Sequence, residues 1–157
     1  MSGDSQLTTI AVDLGNSAAK WSVNGHEEQR VSLRSSHWSE QLIEAAFAAC
    51  GRAKASWRIA SVNRPVAKLL VGRLADECRD CVVRTIDRDD VPMVAKVSNP
   101  DRVGIDRLLA AWMASQTFPG QALIVVDAGS AITVDMVSPA AEFLGGVIVP
   151  GIALQFD

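Results

Sequence analysis

One pattern occurs twice in this chain and limits its fold: an apolar run, an Asp-x-Gly turn and a second run of strand character. The first copy is IAVDLGNSAAKWSV, Ile10 to Val23, and the second is LIVVDAGSAITVDMV, Leu123 to Val137. A short apolar run bounded by turn residues predicts a buried strand, so each copy predicts a β-hairpin. Two matched units predict two lobes of one topology, each with its Asp-Gly turn at a shared cleft. Equal spacing aligns three pairs: Asp13 with Asp127, Gly15 with Gly129 and Ser22 with Met136.

The turn of the first copy carries residue types that bind phosphate. Asp13 ends a predicted strand, and a carboxylate there can hold a hydrated magnesium ion. Gly15 lets the backbone come close to a phosphate, and Asn16, Ser17 and Lys20 add hydrogen-bond donors. The alternative is an ordinary Gly-Asn hairpin turn with a solvated aspartate, which stays open because short motifs often match by accident.

A third stretch, NPDRVGIDR at Asn99–Arg107, lies between the two turns and opens a run with helical spacing. Asp106 and Arg107 fall in the first turn of that predicted helix, whose free amides favour an anion. Arg107 can make a bidentate contact with a carboxylate or phosphate, and Asp106 can accept a proton from an attacking hydroxyl. The alternative is a helix-start acid favoured by the dipole and paired with Arg107 or Arg102.

The spacing predicts an α/β chain, and its length allows one domain, or one complete lobe and part of a second. The chain has 157 residues, which allows one domain or slightly more. Helical spacing gives way to strand spacing at Phe118-Pro119-Gly120, so the predicted lobes are 1–118 and 119–157. Three predicted helices, Trp38–Cys50, Val66–Leu74 and Gly104–Gln116, are expected to cover the first lobe's sheet.

Charge and hydropathy exclude several classes of partner. The net charge of −3 argues against binding to nucleic acid or an anionic membrane. The sequence has neither a charged-then-apolar leader nor an apolar run of about 18 residues. We therefore expect a cytoplasmic protein that binds no nucleic acid and no membrane.

The cysteines suggest no chemistry. Cys50, Cys78 and Cys81 make an odd count, which argues against a disulfide framework in a cytosolic protein. Cys78 and Cys81 form a lone C-x-x-C without further zinc ligands at suitable spacing and without a thioredoxin-like setting. We predict a cysteine at a helix end and a cysteine in a strand, with no metal or redox role.

Four motifs in order resemble the type III pantothenate kinases, bacterial enzymes of the acetate-kinase and actin-like superfamily: DLGNSAAK, NPDRVGIDR, DAGSAITVD and GGVIVPGIAL. Each motif is weak alone, but four in order with sensible gaps make a specific match over most of the chain from Ile10. The resemblance implies an actin-like (ribonuclease H-like) ATPase lobe with a mixed sheet, followed by the start of a second similar lobe. It also implies a homodimer that phosphorylates pantothenate with ATP and Mg²⁺, the first committed step to coenzyme A.

The resemblance implies roles for individual residues. The GxDR segment binds pantothenate, with Asp106 as the proton acceptor. Asp127 binds a monovalent cation, potassium or ammonium, and Ser130 contacts ATP. The pantothenate segment comprises Gly104, Ile105, Asp106 and Arg107. The ATP-phosphate segment comprises Asp13, Leu14, Gly15, Asn16, Ser17, Ala18, Ala19 and Lys20.

The sequence departs from the family pattern in three ways. Ser17 and Ser130 replace threonine and keep the hydroxyl, whereas Val97 replaces a tyrosine and changes one substrate contact. Relatives also continue beyond Asp157, into the second lobe's helices, much of the dimer interface and a late threonine that reaches pantothenate. We therefore expect the chain as given to turn over little or no pantothenate and to self-associate through its second-lobe strands.

Two other functions fit parts of the pattern. One is a non-catalytic regulatory relative on the same fold, and the other is a sugar or acetate kinase of the same superfamily. Asp13, Asp106 and Asp127 favour an enzyme, because a binding module needs no proton acceptor. The GxDR helix argues against a sugar or acetate kinase through the resemblance alone.

Overall fold

The computed structural model describes residues 7–50 and 54–152. The chain divides into two compact units, Met1–Ile86 and Asp87–Asp157. The last motif, GGVIVPGIAL, runs on into residues 153–154, which lie outside the described ranges. No helix among the described residues is both long and apolar enough to cross a membrane.

The first unit contains one mixed sheet of five strands. The sheet order is β3-β2-β1-β4-β5, with β1 antiparallel to β2 and parallel to β4. β2 is also antiparallel to β3, and β4 is parallel to β5. The predicted first hairpin and the mixed sheet that the resemblance implies are therefore confirmed. The elements are β1 (Thr8–Leu14), β2 (Ala18–Val23), β3 (Gln29–Ser32), α1 (Trp38–Cys50), β4 (Ala55–Ser61), α2 (Arg64–Glu77) and β5 (Val82–Ile86).

Both helices of the first unit contribute to a core on one face of this sheet. Along β1, Ile10, Val12 and Leu14 are buried in the core. Side chains alternate across a strand, so Asp13 lies on the opposite face. The helix residues of this core include Leu42 and Ile43 of α1 and Leu70 and Leu74 of α2.

The second unit is a three-stranded antiparallel sheet with a helix packed on it. The sheet order is β6-β7-β8, and α3 packs against all three strands. We expected this helix to cover the first lobe's sheet, but its packing partners are the strands that follow it in the sequence. The elements are two 3₁₀ turns, Arg88–Asp90 and Pro100–Arg102, then α3 (Ile105–Thr117), β6 (Leu123–Ala128), β7 (Ala131–Val137) and β8 (Phe143–Pro150).

The second hairpin turn is one residue shorter than the first. Leu14 pairs with Ala19 across the first turn, whereas Ala128 pairs with Ile132 across the second. The equal-spacing alignment of Ser22 with Met136 was therefore wrong beyond the turns. In the structure Ser22 pairs with Ala11, and its counterpart Asp135 pairs with Val125. A shift of one residue moves a side chain to the other face of a sheet, so this difference decides which residue faces α3.

Cys78 and Cys81 form a disulfide, against the expectation of two unlinked cysteines. Cys78 ends α2, and the Cys81 amide donates to the Cys78 carbonyl at 3.2 Å. This tight turn brings the two Cα atoms to 5.4 Å, which lies within the range that a disulfide spans. The predicted position of Cys78 at a helix end is confirmed, whereas Cys81 precedes β5 (Val82–Ile86) instead of lying in a strand.

One face of the second sheet is apolar and exposed. Ile124, Val126 and Met136 are 71%, 60% and 49% exposed. Strand alternation places them on the face opposite Asp135, whose partner Arg107 belongs to α3. This face corresponds to the face of β1 and β2 that carries the first unit's core.

We expect the 157-residue chain to self-associate, because a contiguous exposed apolar face of this kind marks an association surface. In sedimentation velocity, Ile124→Lys should shift the distribution towards monomer, whereas Gln121→Lys, outside the strands, should not. A monodisperse monomer of the unaltered chain would contradict this expectation.

Candidate functional site

The first Asp-Gly turn places a carboxylate and an ammonium group on one sheet face. Asp13, on β1, is half-buried and lies directly opposite Lys20 of β2 in the strand register. Directly opposed residues in antiparallel strands point to the same face. The predicted phosphate segment therefore brings these two charged residues together at the end of one hairpin.

The backbone fixes this turn on two sides. The Gly15 amide donates to the Ala18 carbonyl at 3.0 Å, and the Leu33 amide donates to the Ser17 carbonyl at 2.9 Å. The Leu14 carbonyl accepts from the Ser61 hydroxyl at 3.1 Å. These hydrogen bonds hold the peptide groups of residues 14–18 in one fixed arrangement.

Glycine at position 15 leaves the outer side of the turn open. A Cβ built on Gly15 would lie 3.4 Å from the Ala18 carbonyl oxygen, an ordinary contact. The turn itself therefore does not require glycine. The missing side chain instead leaves the backbone accessible to a ligand such as phosphate, and the neighbouring Asn16 is exposed.

The second Asp-Gly turn is held by the end of β8. The Gly129 amide donates to the Ala131 carbonyl at 2.9 Å, and the Gly151 amide donates to the Ser130 carbonyl at 3.0 Å. A Cβ on Gly151 would lie 2.3 Å from the Gly129 carbonyl oxygen, so only glycine lets the chain approach here. Asp127 is exposed at the end of β6, and Ser130 is half-buried.

Asp106 lies in the first turn of α3, as the sequence predicts. Its Oδ1 accepts a hydrogen bond from the Arg107 amide at 2.8 Å, and the residue is half-buried. Gly104 caps the helix without a side chain, while Ile105 is buried. Arg107 and Arg102 were the two expected partners of Asp106. Arg107 contacts it through the backbone amide only, because the Arg107 guanidinium bonds to Asp135.

The Arg107 guanidinium forms a buried ion pair with Asp135 of β7. Its Nε lies 3.1 Å from each carboxylate oxygen, and its Nη2 also donates to Oδ1. The side chains of Arg107 and Asp135 are 13% and 3% exposed. The hydrogen bond that Arg107 donates to Asp135 raises the pKa of Arg107, whereas burial opposes that rise. The bidentate edge of Arg107 thus contacts a carboxylate of the chain itself, and a contact between Arg107 and a substrate stays a prediction.

Two residues of β8 complete this pair. The Phe143 ring lies under the guanidinium, with 5.4 Å between the Arg107 Cζ and the ring centroid, a cation–π distance. Gly146 pairs with Asp135 in the strand register. A Cβ there would lie 2.5 Å from Asp135 Oδ1 and 2.0 Å from the Val134 carbonyl oxygen. Glycine at 146 therefore makes room for the buried carboxylate.

Sequence reasoning missed Asp135, because equal spacing put Met136 in its place. A signal was present in ITVDMV: an acid in the middle of an apolar strand. A buried charge must be paired, and removing one member of such a pair costs roughly 3–5 kcal/mol. Asp135 therefore indicated that a positively charged side chain, supplied by the element that covers this strand, would pair with it.

Asp127 shares a sheet face with Asp135. Asp127 pairs with Thr133, and Val125 pairs with Asp135, so all four side chains lie on the face that α3 covers. The second unit thus has Asp106 and Arg107 on the helix that covers Asp127's sheet face. Within residues 7–50 and 54–152, no cluster of three or more His, Cys, Asp or Glu residues could hold a metal ion.

Comparison with known proteins identifies relatives over nearly the whole chain. A sequence model of type III pantothenate kinase matches residues 9–157. The type III pantothenate kinase of Rhodopirellula baltica is 35% identical over 175 residues, covering 95% of this chain and 64% of that protein. That of Nitrosomonas eutropha is 32% identical, covering 90% of this chain and 55% of that protein. The chain thus spans less than two thirds of these relatives' length.

A solved structure shows the same fold. A putative 2-dehydro-3-deoxygalactonokinase from Sinorhizobium meliloti superposes with a TM-score of 0.50 at 17% identity, covering 89% of this chain and 52% of its own. This likeness concerns the fold alone. Together with the strand order of the first unit, it confirms the predicted actin-like lobe with a mixed sheet. The match over residues 9–157 shows that the chain belongs to the type III pantothenate kinase family.

Proposed function

We propose that this protein phosphorylates pantothenate to 4'-phosphopantothenate with ATP, the first step of coenzyme A biosynthesis. The supporting observation is Asp106, a half-buried carboxylate at the start of α3. The family match makes pantothenate the substrate to consider first. Because this chain spans only part of its relatives, the activity belongs to the full-length protein.

The first turn fits the phosphate end of Mg²⁺-ATP. It offers a carboxylate, Asp13, opposite an ammonium, Lys20, and an accessible backbone at Gly15. Carboxylates and phosphates are the usual protein and substrate ligands of magnesium, and bound Mg²⁺ would neutralise charge that develops on the phosphates. We assign Asp13 to Lys20 to the phosphates and Ser130 to a further ATP contact.

Asp106 would act as the proton acceptor. The hydroxyl oxygen of pantothenate attacks the γ-phosphorus in line, while its proton passes to the Asp106 carboxylate. The bond between the γ-phosphorus and the bridging oxygen breaks, and ADP leaves. The backbone of the segment Gly104 to Arg107 would hold pantothenate, with the helix-start amides facing an anionic group.

We further propose a monovalent cation, potassium or ammonium, at Asp127. The aspartate is exposed and directly precedes the second Asp-Gly turn in the sequence, and such cations bind carboxylate and carbonyl oxygens. A homodimer, which the family resemblance implies, and the cytoplasmic location expected from the sequence also belong to this proposal.

Replacing Asp106 by Asn in the full-length protein should lower kcat by about 10²–10⁴-fold, the range for a lost general base. ATP affinity should stay nearly unchanged, since the phosphate segment is intact. Asp89→Asn, an exposed aspartate in the Arg88–Asp90 turn, is the matched control. A variant with more than about half of the original kcat would remove Asp106 from this role.

Replacing Asp13 by Ala should weaken Mg²⁺-ATP binding, because it removes a carboxylate from the phosphate side. Titration calorimetry measures this directly, with Asp76→Ala on the exposed part of α2 as control. Unchanged nucleotide affinity would identify the turn as a purely structural hairpin.

Activity should be higher in potassium or ammonium buffer than in sodium buffer, because Asp127 would select the larger cation with carbonyl ligands. Steady-state rates at constant ionic strength test this. Asp127→Asn should reduce the difference between the buffers. Equal rates in both buffers for the unaltered protein would overturn the cation site.

A further inference from the structure

We propose that Arg107 is a positioning residue: its ion pair with Asp135 fixes the first turn of α3 on β7 and thereby sets the place of Asp106. The catalytic part of this inference rests on the proposed function. The structural part, the anchoring of the helix start, stands on the second unit alone.

The start of α3 depends on contacts from its own first turn. Gly104, the N-cap, has no side chain, and the Leu108 amide donates to its carbonyl at 3.2 Å. Ile105 and Leu108 are buried beneath the helix. Apolar contacts hold the helix down but are not directional. The Arg107 fork adds directional bonds and so fixes the rotation of this turn.

The receiving side of this contact is rigid. Asp135 lies in the central strand of the sheet, paired with Val125 on one side and Gly146 on the other. Gly146 leaves room for the carboxylate, and Phe143 packs against the guanidinium. The guanidinium therefore meets a carboxylate whose position both neighbouring strands define.

The same geometry argues against the Arg107 guanidinium as a direct ligand of pantothenate, whatever contact the backbone of its segment makes. Its Nε and Nη2 form the bidentate edge, and both donate to Asp135. A substrate carboxylate using that edge would leave Asp135, which is 3% exposed, as an unpaired buried charge. That cost is much larger than the gain from one new ion pair.

Positioning follows from adjacency. Asp106 precedes Arg107, and its Oδ1 accepts from the Arg107 amide, so a rotation of this turn moves the carboxylate. A misplacement of about 1 Å can cost about 10²-fold in rate. The ion pair would therefore affect kcat without either partner touching a substrate.

The test uses a charge-free pair, Arg107→Met with Asp135→Leu, because replacing both partners keeps the interior packed without leaving a buried charge. Arg107→Lys is the second variant, since it keeps the charge but loses the fork. Val137→Ala, buried in the same strand, is the control for general loss of packing.

The first readout is amide hydrogen exchange in the 157-residue chain, which requires no activity. Exchange at the Leu108 amide should rise by about tenfold or more in the double variant, relative to the Ser115 amide near the end of α3. Val137→Ala should change the two amides by similar factors. Unchanged relative protection at Leu108 would overturn the anchoring role, whatever the protein's substrate.

The second readout is turnover of the full-length protein. The double variant and Arg107→Lys should lose about 10²-fold in kcat, with the KM for pantothenate and the ATP affinity changing much less. A raised KM with unchanged kcat would identify Arg107 as a direct ligand and overturn the proposal. If the unaltered protein fails to phosphorylate pantothenate, the proposed function fails, while the exchange result still decides the anchoring.

Discussion

A buried carboxylate has to be paired, and in the second unit that constraint connects α3 to the central strand β7. Asp135 is 2% exposed as a residue and bonds to the guanidinium of Arg107. The pair connects the first turn of the covering helix to the central strand of the sheet. Gly146 and Phe143 of the third strand shape the space around it. The helix α3 and the strands β7 and β8 therefore meet at this pair, next to Asp106.

The two hairpins differ by one residue in the turn, and this difference changes which side chains of the second strand lie on each face. Both carry an aspartate at a strand end followed by glycine, but the second turn is one residue shorter. In the first unit the apolar face of the hairpin carries a core with α1 and α2. In the second unit α3 covers the other face, the one that carries Asp127 and Asp135. The two copies of the hairpin are thus packed by helices on opposite faces.

Much of this arrangement was predictable because it follows from local pattern. Alternating or continuous apolar runs defined the two hairpins, and helical spacing after Gly104 placed Asp106 in a first turn. What remained hidden depends on contacts distant in sequence. Asp135 faces Arg107 only because the turn of the second hairpin is one residue shorter than the first. Which sheet α3 covers is decided by tertiary packing. The roles of Asp13, Asp106, Asp127 and Ser130 remain predictions.

The central claim is that this protein transfers the γ-phosphoryl group of ATP to the hydroxyl of pantothenate. Phosphorus NMR of the full-length protein with ATP, Mg²⁺ and potassium measures this transfer, with pantothenate, acetate and a hexose offered in parallel. We expect a new phosphate-monoester signal and an equal amount of ADP with pantothenate only. Transfer to acetate or the sugar would identify another kinase of this fold, and no transfer to any of the three would contradict the claim.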